Sequence, residues 1–86
     1  MVTRPEALAK AVAWAESAHA CYSRAARAND DARLTDTGRP PVAHPSAETR
    51  RLTRIAETEY RHSQIEAALA SAWAAIAAAT PEEPQP

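Results

Sequence analysis

The 86-residue chain has one glycine, one cysteine, one methionine and no phenylalanine. Each scarcity excludes something. With Cys21 alone no intrachain disulfide can form, and a reducing cytoplasm is the simplest setting. A single glycine, Gly38, leaves no Gly-rich loop to cradle a phosphate. Nor is there a nucleophile–base pair: His19 stands two residues from Cys21, a spacing that does not face it on a helix. Charge of one sign is also lacking. The formal net charge of −1 argues against a general nucleic-acid binder, which needs a clear basic excess. Long apolar runs are missing as well. The N-terminal residues lack the unbroken apolar core of a signal peptide, and the Ala-rich run after Leu69 falls short of the roughly 20 residues of a membrane span. The chain reads as soluble, cytoplasmic and non-enzymatic, with no nucleic-acid or membrane partner.

Alanine is what the chain has in abundance, 23 of 86 residues. The large apolar side chains are few: Leu8, Val12, Trp14, Tyr22, Leu34, Leu52, Ile55, Tyr60, Ile65, Leu69, Trp73 and Ile76, with Val2 and Val42 outside the periodic segments. That is thin for a lone globule of this length and favours self-association or a partner protein. Charge is unevenly spread. Residues 24–54 hold seven Arg against four acids, whereas the rest holds three basic and seven acidic residues.

Two long helices follow from the punctuation. Thr3-Arg4-Pro5-Glu6 is a capping-box pattern with proline in the first turn, where its missing N–H has no helical partner anyway. A helix is predicted over residues 4–33. Residues 34–45 carry Gly38, Pro40, Pro41 and Pro45, which break periodicity and predict a linker. Ser46 is then an N-cap, with Glu48 suited to the positive end of the next helix. That helix is predicted over 46–79, ends at Thr80-Pro81, and is followed by a polar, disordered tail at 81–86. Arg50, Arg51 and Arg54 crowd its positive end, and Asp30, Asp31 and Asp36 at the end of the first helix are candidate compensators. The fold class expected is all-α, a helical hairpin spanning residues 1–80.

On the first helix, Leu8, Ala15, Tyr22 and Asn29 recur on sevens, as do Ala11, Ala18, Ala25 and Ala32. Together they predict an inner face where small residues let backbones approach. Trp14 and Cys21 at one edge and Val12 at the other widen it beyond a two-helix seam, which suggests more than one partner helix. On the second helix, Leu52, Ile55, His62, Ile65, Leu69, Ala72, Trp73 and Ile76 form one stripe at steps of three and four. Two such hairpins are expected to dimerise into a four-helix bundle. The interface residues expected are Leu8, Trp14, Ala18, Tyr22, Ala25, Ile55, His62, Leu69, Trp73 and Ile76.

His62 near the centre of that stripe is the polar interruption. In one reading it is a buried imidazole, bonded to Glu59, Glu66 or a partner's Tyr22, that sets register and association state. In the other it is a metal ligand. Glu59 and His62 have the Glu-x-x-His spacing, in which two side chains can share an ion on one helix face, and Glu16 and His19 repeat it. A turn near residues 39–40 sets Glu16 near His62 and His19 near Glu59. These four residues resemble the half-site of the short two-helix encapsulated ferritins, which complete a di-iron centre by pairing two hairpins. The resemblance implies an Fe or Zn site of Glu16, His19, Glu59 and His62 at a dimer interface. Three functions are therefore expected: an adaptor or accessory-subunit module without cofactor, a dinuclear metal protein, or a regulator whose Arg-rich linker end binds an anionic partner.

Overall fold

The computed structural model of the chain describes residues 1–35, 37 and 46–82. Helix α1 runs Arg4–Thr35 and helix α2 runs Ala47–Ala79. They pack against each other as an antiparallel hairpin: Arg4 meets Glu82, Lys10 meets Trp73 and Arg24 meets Glu59. Most of the expected linker, including Asp36, Gly38 and Pro40, Pro41 and Pro45, lies outside the described residues. So does the expected tail beyond Glu82.

The helix ends follow from local chemistry. Thr3 Oγ1 accepts the amide of Glu6 at 3.3 Å, making the threonine half of the capping box. α1 continues past the expected end at residue 33. Thr35 Oγ1 donates to the Asp31 carbonyl at 2.8 Å, and the Thr37 amide reaches the Leu34 carbonyl at 3.2 Å. The Thr37 hydroxyl also donates to the Arg33 carbonyl at 3.1 Å, so Thr37 satisfies two carbonyls that the helix end leaves without partners. Ser46, with φ −63° and ψ 161°, caps α2 by accepting the Thr49 amide at 3.0 Å. Within the first two turns Arg51 grips Glu48 through two bonds, 3.0 and 2.6 Å long. Compensation for this Arg51 therefore comes from its own helix, while Asp31 stands across the same cleft. At the far end Thr80 turns to extended backbone and its hydroxyl donates to the Ile76 carbonyl at 2.6 Å.

The seam between the helices is made of small residues. The buried apolar side chains are Ala7, Ala18, Cys21, Ala25, Ala28, Ala32 and Ala77. On α1 the alanine line expected to face inward does so, but its companion line is displaced by one residue. Ala7, Trp14, Cys21 and Ala28 flank it as buried or half-buried residues, while Leu8, Ala15, Tyr22 and Asn29 are exposed. On α2 the correction is larger. The inward line is Thr49, Leu52, Ala56, Glu59, Ser63, Glu66, Ala70, Trp73, Ala77 and Thr80. Of the expected stripe, only Leu52 and Trp73 turn toward α1; Ile55, His62, Ile65, Leu69, Ala72 and Ile76 are exposed.

Packing distance explains the rotation. Paired helices lie about 8–10 Å apart according to the size of the side chains at the contact. The alanine line of α1 fits the near limit, and α2 answers it with its own small residues on sevens, Thr49, Ala56, Ser63, Ala70 and Ala77. Turning the isoleucine stripe inward would wedge the backbones apart and forfeit close contact along both helices.

Candidate functional site

Two features stand out on this frame: a polar cluster inside the seam and the large apolar side chains outside it. The cluster forms because Glu59 and Glu66 share a line on sevens with Leu52 and Trp73 and are therefore carried into the seam. Arg24 reaches across from α1, its Nε 3.2 Å from Glu59 Oε1. Its Nη2 also donates to Cys21 Sγ at 3.1 Å, and the thiol donates to Glu66 Oε2 at 3.4 Å. One atom is left over. Glu59 Oε2 is buried and has no hydrogen-bond partner among the described residues.

Ionisation follows from these contacts. The Arg24 hydrogen bond holds the Glu59 carboxyl below the usual carboxylate range, against an opposing push from burial. Cys21, 3% exposed, has its thiol pushed up, first by burial and then by its hydrogen bond to Glu66. A protonated thiol between two carboxylates is a donor, not a nucleophile, because only the thiolate attacks. The chemistry this cluster performs is therefore cohesive: a charge-assisted tie across a seam of otherwise small, uncharged side chains.

The Glu-x-x-His pairs do not come together. Glu59 meets Arg24, five residues beyond the His19 expected opposite it, and Glu16, His19 and His62 are exposed. Among the described residues no group of three or more His, Cys, Asp or Glu side chains is arranged to hold a metal ion. His62 is exposed on the single hairpin, and the polar residues within its seam are Thr49, Glu59, Ser63 and Glu66.

The expected interface residues divide in two. Ala18 and Ala25 are buried between the helices of one chain, and Trp14 and Trp73 are half-buried there, Trp73 with the Lys10 ammonium 5.2 Å from its ring centroid. Leu8, Tyr22, Ile55, His62, Leu69 and Ile76 point to solvent. The outward residues fall on two edges of the hairpin. On one, the Tyr22 and Tyr60 rings meet tilted at 50°, with centroids 6.2 Å apart, beside an open cleft of about 370 Å³. On the other, Ile55 stands in a groove with Arg51, Arg54, Thr58 and Glu59, at the head of the line Ile55, Ile65, Leu69 and Ile76. Ile65 itself is 54% exposed.

The Arg24–Glu59 tie was not anticipated from the sequence. Its signal was the spacing on sevens of Thr49, Ala56, Ser63, Ala70 and Ala77, which marks the inner line and with it Glu59. No helix is long and apolar enough to cross a membrane among the described residues. No family model, no curated protein and no solved structure matches the chain.

Proposed function

We propose that the chain is a non-enzymatic interaction module that works by presenting helix surfaces to other polypeptides. The observation that supports this reading most directly is the inversion of side-chain size. Alanine fills the seam, while Leu8, Val12, Tyr22, Ile55, Tyr60, Ile65, Leu69 and Ile76 are exposed. Scattered exposed apolar residues are ordinary, but a line of them at helical spacing rimmed by charge is the mark of a binding surface. The α2 line is the more continuous of the two. It places Ile55, Ile65, Leu69 and Ile76 along about 32 Å of helix at about 1.5 Å per residue.

The test separates service to the fold from service to binding. Exchanging Ile65 and Leu69 together for Gln is expected to leave helix content and melting of a dilute sample nearly unchanged, because neither fills the seam. The same pair is expected to strip the affinity-purified chain of whatever it holds, read as a fall in mass by light scattering. A collapse of the dilute-sample melting temperature would assign these residues to the fold and overturn the reading. So would a wild-type chain that purifies with nothing attached, neither another protein nor itself.

A further inference from the structure

Resting on the reading of α2 as a binding face, we propose that its occupant is the same face of a second copy, packed antiparallel about a two-fold axis near Ile65. Self-complementarity is the first argument. Ile55 and Ile76 lie ten residues before and eleven after Ile65, and His62 and Leu69 lie three before and four after. A two-fold axis at that point sets isoleucine against isoleucine at both ends and His62 against Leu69 twice. An isologous contact requires this kind of symmetry of a surface, since each patch must be its own partner.

Charge fixes the direction. Arg50, Arg51 and Arg54 lie in the first turns of α2, and the last turn of α2 holds no basic residue. The carbonyls at that end carry the negative pole of the helix, which basic side chains favour. An antiparallel partner brings its Arg51 and Arg54 to this end. A parallel partner would stack the arginine clusters of the two copies against each other. Thr58 and Ala72, small residues on the same line, leave room for the partner's isoleucines to interdigitate. The α1 edge lacks this pattern: its line of Leu8, Val12 and Tyr22 gives way to Asn29 and Arg33. Three heptads of contact make a short seam, so the pair is expected to dissociate in the micromolar range.

Sedimentation of the full chain over about 1–200 μM tests the proposal, the range being set to bracket that affinity. A monomer–dimer equilibrium is expected, weakened about tenfold or more by Ile65→Asp, which puts two carboxylates beside the axis, and unchanged by Val12→Asp on the α1 edge. Direction is read from disulfide capture under mild oxidation, with native Cys21 shielded in the seam. Ile65→Cys should link to itself, and Ile55→Cys should link to Ile76→Cys in a mixture but not to itself. A monomer throughout the range, a dimer lost with Val12→Asp but not with Ile65→Asp, or self-linking of Ile55→Cys would each overturn it. A wild-type monomer that still carries a foreign protein until Ile65 and Leu69 become Gln would assign the face to that protein. That outcome overturns the homodimer and leaves the interaction reading standing.

Discussion

Arg24 serves two groups at once, the Glu59 carboxylate and the Cys21 sulfur, and so joins the helices at one height. Because the bond depresses the folded-state pKa of Glu59, the sign of its pH dependence is set. The stabilisation is fully present above the unfolded-state value, about 4.3 for glutamate, and is lost as pH falls through the lower folded-state value. Wild type should therefore melt above Glu59→Gln at neutral pH, and the two curves should converge in acid below the usual carboxylate range. Circular dichroism melts from neutral to strongly acidic pH measure this. Glu48, depressed by its bond to Arg51, remains in both proteins and cancels in the difference. Equal melting temperatures at neutral pH would mean that the tie adds nothing. Arg24 and Glu59 were each visible in the sequence, but their meeting depended on a register that the linker does not disclose.

At the scale of the elements, the small-residue line decides how closely α1 and α2 approach. Ala18 and Ala25 are buried, whereas Ala9 and Ala13 are exposed on the same helix. Leucine at Ala18 or Ala25 is expected to cost about 1–3 kcal/mol through overpacking, and leucine at Ala9 or Ala13 close to nothing. Chemical denaturation of the four variants compares them directly; equal costs would mean the helices are not in close contact. Helix positions and caps were legible beforehand because Thr3, Pro5, Ser46 and Pro81 act on their own neighbours. The inner face of α2 was not. Ranking residues by hydrophobicity turns isoleucine inward, whereas close packing against alanine selects serine, threonine and alanine and takes two glutamates in with them. Glu59 is paired with Arg24 and Glu66 accepts the Cys21 thiol, and both side chains are only half-buried, so their inclusion is tolerable.

For the whole molecule the result is a rod of 70 × 15 × 14 Å. Its accessible surface is 6451 Å², against about 4,900 Å² for a globular monomer of 9.2 kDa. A fold with this much surface and an alanine seam gains from covering its outward isoleucines. The melting temperature is accordingly expected to rise with protein concentration, since a dimer that forms only from folded chains stabilises them by mass action. Scanning calorimetry or circular dichroism across a hundredfold dilution series reads this. Invariance would mean that the hairpin holds itself together alone.

Elongation also governs how such a molecule travels through a porous matrix. Its radius of gyration is 19.5 Å, whereas a compact chain of 86 residues would have about 12 Å, and 19.5 Å suits a compact chain of about 300 residues. A single hairpin will therefore elute from a sizing column well ahead of compact standards of its own mass. Calibration against globular markers would count it as an oligomer whether or not a second copy were present. The number of chains has to be weighed, by scattering intensity or by buoyant mass at equilibrium, rather than inferred from elution volume.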